Sequence, residues 1–292
     1  MVSLRMPRPR ALIPAAVVVA LAVAAVGGVL VTGSDPEVRV QAKDLVPTIT
    51  AEQLTRDAGV RVYFGHQSVG MNVLEGVPAV YAAQGVAAPE VSQDSVPATG
   101  EAGDGFFVHT YIGENGDPAG KVAAFDATVR GGMGEQVDVA LMKLCYVDFT
   151  SDTDVDALFA TYRDTMAALQ TDYPDVVFLH STAPLTTALT GSARWKFQVK
   201  EMLGRTDDYG ATSNVVRERY NALIRAEYGD HVFDIAAVES TQPDGTRIQR
   251  THDGATYYTL DDGYASDIGH LNAEGSAAAA TALLALVART GG

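Results

Sequence analysis

The sequence has little cysteine and little positive charge, and it lacks the glycine-rich motifs of nucleotide-binding proteins. Its only cysteine is Cys145, so an intrachain disulfide is excluded and stability must come from a buried core. The sequence has 36 aspartates and glutamates but only 21 lysines and arginines, so its formal net charge is −15. Such a surface repels phosphate backbones and anionic lipids, so nucleic acid is excluded as an expected partner. Without a phosphate loop or a dinucleotide fingerprint, no nucleotide cofactor is expected either.

One long uncharged stretch lies near the N-terminus. Three arginines precede residues 11–31, which carry no charged side chain. About 20 apolar residues suffice to cross a bilayer, and arginines before such a segment favour export of everything after it. The segment ends without a good peptidase site, so a retained anchor is slightly favoured and a cleaved signal peptide stays open. We predict an extracytoplasmic protein whose N-terminal segment contacts the membrane. The predicted divisions are a signal peptide or anchor over 1–35, a linker over 36–57 and one domain over 58–292.

Beyond the linker, apolar runs alternate with segments of helical periodicity. Residues 137–144 form a near-continuous apolar run, which is typical of a strand buried on both faces. Predicted strands cover 60–64, 106–110, 137–144, 176–180 and 231–235; predicted helices cover 69–84, 118–129, 154–169, 194–203, 214–228 and 272–287. This alternation predicts a three-layer α/β/α sandwich with a mostly parallel, flavodoxin-like sheet. In such folds ligands bind at the carboxyl ends of the strands.

Two short segments near the ends of this domain carry the sharpest chemical signal. Ser68 follows the first predicted strand, and Asp267 lies three residues before His270, just ahead of the last helix. A nucleophilic hydroxyl, an imidazole base and a carboxylate that orients the imidazole are the minimum equipment for acyl transfer. At a helix start, Ser68 would also lie near unpaired N–H groups that stabilise an oxyanion. The alternative is that Ser68 and His270 only cap or pack their helices. Other aspartates close enough in sequence to replace Asp267 are Asp253, Asp261 and Asp262.

These segments resemble the motifs of the SGNH, or GDSL-like, hydrolase superfamily over roughly residues 58–288. In that family a serine follows the first strand and a D-x-x-H element precedes the last helix, which match Ser68, Asp267 and His270. Asn272 and Gly275 continue the second block. The resemblance implies a serine hydrolase that acts on ester bonds through an acyl-enzyme on Ser68, or an O-acyltransferase, with no cofactor. It also implies a small-molecule or polymeric acyl ester of carbohydrate, cell-wall polymer or lipid as the substrate.

The sequence departs from this family at the oxyanion hole. Val147 stands where the family places an asparagine, and the loss of one such donor typically costs about 10²–10³ in rate. The predicted substitutes are the backbone N–H of Gly113 or Gly116 and the side-chain amide of Asn115. The alternative is that this Asn-Gly pair is an ordinary turn.

Several further polar residues lie near the predicted strand ends. His66, Lys143, Tyr146 and Asp148 are possible substrate contacts. For Lys143 a structural ion pair is an equal alternative, because burying an unpaired charge is costly. A lone strand cysteine such as Cys145 is more often a small apolar core residue than a nucleophile. Four polar residues at helical spacing are predicted to face solvent or a loop and not to act in catalysis: Asn214, Arg217, Asn221 and Arg225.

Two rival functions remain open at this stage. The altered serine block fits a non-catalytic module that keeps the fold and binds glycan or cell-wall polymer. A metal-dependent hydrolase would need a site assembled across loops, and the candidates are His66, His109, His252 and Asp253. The histidines lack metal-ligand spacing, so no metal is expected. The oligomeric state and the acyl group are not predicted.

Overall fold

A six-stranded, all-parallel sheet forms the centre of the computed structural model, which describes residues 36–97, 105–189 and 209–291. The strands are β1 (Glu37–Gln41), β2 (Arg61–His66), β3 (Glu90–Gln93), β4 (Phe106–Tyr111), β5 (Val139–Met142), β6 (Val177–Ser181), β7 (Val232–Phe233), β8 (Thr246–His252) and β9 (Ala255–Tyr257). In the central sheet their order is β3-β4-β2-β5-β6-β7. Leaving out edge strand β3, this is the flavodoxin-like order, with β2 as the first strand.

Helices cover both faces of the central sheet. They are α1 (Ala51–Asp57), α2 (Ser68–Ala83), α3 (Pro118–Thr128), α4 (Val155–Asp172), α5 (Ala211–Tyr228), α6 (Ile235–Glu239) and α7 (Ala273–Thr290). Successive side chains of a strand point to opposite faces. Accordingly, Val139 of β5 joins the apolar cluster under α2 and α7, while Ala140 joins the cluster under α3, α4 and α5. The predicted three-layer sandwich is confirmed, and the apolar run in β5 reflects burial on both faces.

A second, smaller sheet was not predicted from the sequence. It is antiparallel, in the order β1-β8-β9. Strand β1 and helix α1 both lie in residues 36–57, the segment predicted as a linker. Because β1 pairs with β8 and Leu54 of α1 is fully buried, this segment packs onto the domain as part of it.

Two predictions fall on residues that the structure does not describe. These are the signal peptide or anchor over 1–35 and the helix over 194–203. Among the described residues, no helix is both long and apolar enough to cross a membrane.

Candidate active site

Ser68 is the first residue of α2, directly after β2 and a single extended residue, Gln67. The four first N–H groups of a helix have no partner within the helix, and they carry its positive dipole end. Ser68 therefore presents its hydroxyl beside unpaired backbone donors at the carboxyl edge of the sheet. It is half-buried, so the hydroxyl is open to a substrate.

His270 and Asp267 reach this serine from the loop before α7. The Nε2 atom of His270 lies 2.9 Å from Oγ of Ser68, and its Nδ1 lies 2.8 Å from Oδ2 of Asp267. A carboxylate can only accept, so Nδ1 carries the proton and Nε2 is free to receive one from the serine. The residues predicted from the two sequence motifs thus form one hydrogen-bonded row, 202 residues apart in the chain at its widest point.

The carboxylate of Asp267 is held by its own loop as well as by the imidazole. The N–H groups of Gly269 and His270 each donate to its Oδ1 at 2.9 Å. Partial burial acts to raise the pKa of Asp267, but these hydrogen bonds and the bond to the imidazole outweigh it and lower the pKa below its usual value. Asp267 therefore stays ionised, as a group that stabilises an imidazolium must. The other aspartates considered from the sequence make no contact with His270 among the described residues.

The ring of Tyr146 supports the imidazole from the side. It meets His270 edge to face, with ring centroids 5.8 Å apart. A side chain at Gly269 would come within 2.5 Å of this ring, so the glycine lets the catalytic loop lie flat against it. Tyr146 is only 6% exposed, which makes it a support of His270 and leaves little of it for a substrate.

His66 is the last residue of β2, two positions before Ser68. Its side chain is fully buried, and its Nδ1 lies 2.7 Å from the carbonyl oxygen of Gln67. A carbonyl only accepts, so Nδ1–H donates and Nε2 accepts from Nδ1–H of His109 at 3.1 Å. Burial lowers the pKa of His66 to about 3, against an opposing effect of the bond to Gln67, so the ring is neutral. Its role in the structure is to hold the turn that carries Ser68.

The loop after β4 lies against the serine turn, as the predicted oxyanion residues require. The side-chain amide of Gln67 donates to the carbonyl oxygens of Ile112 and Gly113 at 3.0 and 2.9 Å. Gly113 has φ +56°, and a Cβ there would lie 2.9 Å from the backbone of Lys121. Only glycine combines that conformation with that approach. The contact joins the carbonyl of Gly113 to the side chain of Gln67, the residue before Ser68, and the N–H of Gly113 stays a candidate oxyanion donor.

The two remaining oxyanion candidates, Gly116 and Asn115, differ in whether their N–H groups are free to donate. The N–H of Gly116 donates to Oδ1 of Asp148 at 2.9 Å, so it is already used. The side-chain oxygen of Asn115 accepts from Nζ of Lys121 at 2.9 Å. An ammonium only donates, so this contact fixes the orientation of the Asn115 amide and turns its NH₂ group away from Lys121. Asn115 stays a candidate donor, and Gly116 does not.

Asp148, a predicted substrate contact, is instead the buried partner of Lys121. Nζ of Lys121 lies 2.7 Å from both carboxylate oxygens, and neither side chain is exposed. Asp148 also accepts from the backbone N–H of Cys145 at 2.6 Å. The pair therefore joins the loop after β4 to the turn after β5. Lys121 was not predicted as a site residue, although its place on the apolar face of α3, beside Val122 and Phe125, was a signal.

Lys143 is also fully buried, and neither of its predicted roles appears as a contact. Among the described residues its Nζ donates to the carbonyl oxygen of Leu144 at 3.1 Å, and no carboxylate lies within ion-pair distance. Cys145 is 2% exposed, with its Sγ 3.9 Å from the same ammonium. This matches the prediction of a small buried residue.

The polar face of α5 packs against the loop after β6, one of the two outcomes expected from the sequence. Asn221 exchanges hydrogen bonds with the backbone N–H and carbonyl of Ala183, and Asn214 accepts from the backbone N–H of Thr186. The next residue, Thr187, donates its N–H to the carbonyl of Ile268 at 2.9 Å, within the loop of Asp267 and His270. This helix face thus supports the catalytic loop indirectly.

In the described part of the chain, no group of three or more histidine, cysteine, aspartate or glutamate side chains is placed to hold a metal ion. Of the four residues considered for a metal site, His66 and His109 do meet. His252 lies instead near Asp253 and Thr212.

Comparison with known proteins gives structural likenesses only. No protein-family model matches the chain. No curated protein sequence matches it. Among solved structures, a protein from Streptococcus pneumonia provisionally described as a platelet activating factor is 14% identical, with a TM-score of 0.39, over 74% of this chain and 90% of its own. A protein from Desulfitobacterium hafniense provisionally described as a lipolytic protein of the G-D-S-L family is 9% identical, with a TM-score of 0.36, over 78% and 99%. The periplasmic domain of a lipopolysaccharide acetyltransferase from Salmonella ser. Paratyphi A is 11% identical, with a TM-score of 0.39, over 82% and 86%.

The descriptions of two of these structures name a lipolytic protein of the G-D-S-L family and an acetyltransferase domain. At TM-scores below 0.4 they carry no argument about activity. The chemistry must be argued from the site itself.

Proposed function

We propose that this chain is an exported serine esterase or acyltransferase that forms an acyl-enzyme on Ser68. The observation that carries the proposal is the row of Ser68, His270 and Asp267, with distances of 2.9 and 2.8 Å between neighbours. This row has the geometry that activates a serine hydroxyl as a nucleophile.

The steps follow from which atoms can donate and accept. Oγ of Ser68 attacks the acyl carbonyl carbon as Nε2 of His270 takes its proton, and the carbonyl oxygen becomes an oxyanion. The imidazolium returns that proton to the leaving alcohol, and the acyl group remains on Ser68. Water, or a hydroxyl of a second substrate, then attacks the ester carbon with His270 again as base. The bond between the acyl carbon and Oγ breaks, the imidazolium returns its proton to Oγ, and the acid or the new ester leaves. Asp267 stays ionised throughout and stabilises the imidazolium.

The oxyanion is stabilised by donors at the start of α2 and in the loop after β4. We assign the backbone N–H of Ser68, the backbone N–H of Gly113 and the amide of Asn115 to this role. The geometric support is the pair of hydrogen bonds from Gln67 to Ile112 and Gly113, which holds that loop against the serine turn. Donors fixed before reaction cost no reorganisation when charge develops.

The site is shallow, which favours a substrate that extends beyond it. The side chains of His270 and Asp267 are 31% and 54% exposed. We propose an acyl ester of carbohydrate, cell-wall polymer or lipid as the substrate, outside the cytoplasm. Transfer to a sugar hydroxyl is the natural variant if the N-terminal segment is retained in the membrane.

A fluorophosphonate probe on the full chain tests the proposal. We expect one covalent adduct, mapped by intact mass and peptide analysis to Ser68, which is lost in Ser68→Ala and His270→Ala. The matched control is Ser151→Ala, which removes an exposed serine whose hydroxyl donates to Asp152. Full labelling in Ser68→Ala, or none in the folded parent protein, would overturn the serine mechanism. Glycan binding that survives Ser68→Ala would then favour the non-catalytic module.

A further inference from the structure

A surface cavity of about 660 Å³ lies between the loop after β4 and the segment after β5. It is within the range of about 300–1,000 Å³ that ligand pockets usually have. Both of its walls continue from the proposed active site. Val147 and Asp148 follow Tyr146, whose ring meets His270, and Asn115 follows Gly113, which Gln67 holds beside Ser68.

The polar groups of this cavity are mainly hydrogen-bond donors without a positive charge. Oγ1 of Thr153 accepts from the backbone N–H of Thr150, and Oγ1 of Thr150 accepts from that of Asp152. Among the described residues, neither hydroxyl proton has an acceptor, which leaves both to donate to a ligand. The NH₂ group of Asn115 is likewise turned away from Lys121.

The charges around the cavity disfavour an anionic ligand. No lysine or arginine is among the residues that line it. The nearest ammonium, that of Lys121, is neutralised by both oxygens of Asp148. At the rim, the carboxylate of Asp154 adds a negative charge, and one of its oxygens accepts from the N–H of Ala157. A phosphate or carboxylate group here would meet this negative charge with no cation to offset it.

The rest of the lining is apolar and comes from Val147, Pro118, Ala119 and Leu158. A ligand that suits it has C–H faces as well as hydroxyl and ether oxygens. Sugar units combine these features, whereas phospholipid head groups are anionic or zwitterionic phosphates.

We infer that this cavity binds an uncharged, hydroxyl-rich sugar unit of the substrate while its acyl ester lies at Ser68. The inference rests on the proposed function, because it assigns the cavity to the substrate of that site. It narrows the proposed substrate to acyl esters of neutral carbohydrates and predicts that anionic esters are poorer substrates.

A filled cavity tests this inference. Ala157 is an exposed residue of α4 that lines the cavity, so Ala157→Phe fills the space without burying a polar group. The matched control is Ala167→Phe, which adds the same ring to an exposed position of α4 outside the cavity. The substrates are 6-O-acetylglucose, its 1-phosphate and p-nitrophenyl acetate, which share one acyl group.

We expect the parent protein to prefer 6-O-acetylglucose over its 1-phosphate in kcat/KM by about tenfold, the effect of roughly 1.4 kcal/mol. In Ala157→Phe, the ratio of kcat/KM for 6-O-acetylglucose to that for p-nitrophenyl acetate falls about tenfold, and in Ala167→Phe it is unchanged. An equal preference for the phosphate, or an unchanged ratio in Ala157→Phe, overturns the inference.

Binding without turnover separates this inference from the proposed function. Calorimetric titration of 6-O-acetylglucose into Ser68→Ala and into Ser68→Ala/Ala157→Phe measures the cavity alone. A Kd about tenfold weaker in the double variant supports the inference even if the parent protein fails to react with fluorophosphonate. Equal binding, or no binding to either protein, refutes the cavity assignment whatever the labelling shows.

Discussion

The ammonium of Lys121 contacts both carboxylate oxygens of Asp148 at 2.7 Å, and neither side chain is exposed to solvent. Each charge in this buried pair depends on the other, since an ion left alone in the interior is strongly destabilising. Through Asn115 and the backbone N–H of Gly116, the pair also fixes the loop that faces the serine turn. The stability of the fold and the geometry of the proposed site therefore both depend on this ion pair.

Removing one partner of that pair is expected to cost much more than removing a surface partner. For Lys121→Met we predict a loss of about 3–5 kcal/mol in unfolding free energy, because Asp148 stays buried without its cation. For the control Arg130→Met, which removes the exposed partner of Asp126 and Asp172, we predict a much smaller loss in unfolding free energy. Guanidinium unfolding measures both values. Similar losses in the two variants would contradict the role of burial.

Asp267→Asn should disable the site while the fold stays intact. Asparagine can donate to Nδ1 of His270, which favours the wrong tautomer, and we predict a fall in kcat of about 10³–10⁴. The matched control is Asp262→Asn, an exposed neighbour without a hydrogen bond among the described residues, and it should keep full activity. Hydrolysis of p-nitrophenyl acetate and far-ultraviolet circular dichroism report activity and folding. A severe loss of kcat in Asp262→Asn, together with a mild loss in Asp267→Asn, would show that Asp267 is not the carboxylate that orients His270.

Gly70→Ala should displace the buried imidazole below the serine turn. A Cβ at position 70 would lie 2.3 Å from Cγ of His66, so the ring must move. Because His66 holds the carbonyl of Gln67, we expect slower fluorophosphonate labelling of Ser68 together with an overpacking cost of about 1–3 kcal/mol. Gly131→Ala is the control, since a Cβ there meets nothing within 4 Å. If Gly70→Ala labels as fast as that control, the histidine does not position the nucleophile.

Glu239 should make the fold less stable as the pH rises. Its side chain is 1% exposed, and burial raises its pKa from 4.5 to about 8, against smaller opposing effects of the Leu185 N–H, Lys143 and Arg217. A raised pKa means that the folded state holds a proton which the unfolded state releases. The contribution to stability is therefore complete below pH 4.5 and is lost as the pH rises through about 8.

Glu239→Gln removes that dependence, because glutamine mimics the protonated acid at every pH. Over the same interval, the unfolding free energy of the parent protein should fall relative to the variant by up to about 1.4 kcal/mol per pH unit. Glu227→Gln, at an exposed position of α5, should follow the parent protein. Parallel curves for Glu239→Gln and the parent would show that Glu239 titrates normally.

Local patterns in the sequence were enough to predict the layers of the fold and to select Ser68, Asp267 and His270 as candidate site residues. The apolar run of β5 predicted burial on both faces, and strand–helix alternation predicted the parallel sheet, because periodicity reflects which face meets the core. Ser68 and the Asp267–His270 element were visible because each depends on a few neighbouring residues and on one strand-to-helix turn. Parallel strands present their carboxyl ends at one edge of the sheet. This rule predicts that Ser68 and the Asp267–His270 element meet at that edge.

Only the tertiary structure decided which polar residues belong to the site and which support it. Lys121 and Asp148 are 27 positions apart in the sequence, and the paired strands β1 and β8 are more than 200 positions apart. No periodicity or motif in the sequence indicates either contact. His66, predicted as a substrate contact, is fully buried. The polar face of α5 contacts the loop after β6, which in turn contacts the loop of Asp267 and His270. The physical reason is the same in each case. A polar side chain has a role set by the partner that satisfies it after burial, and that partner is chosen by packing between distant segments.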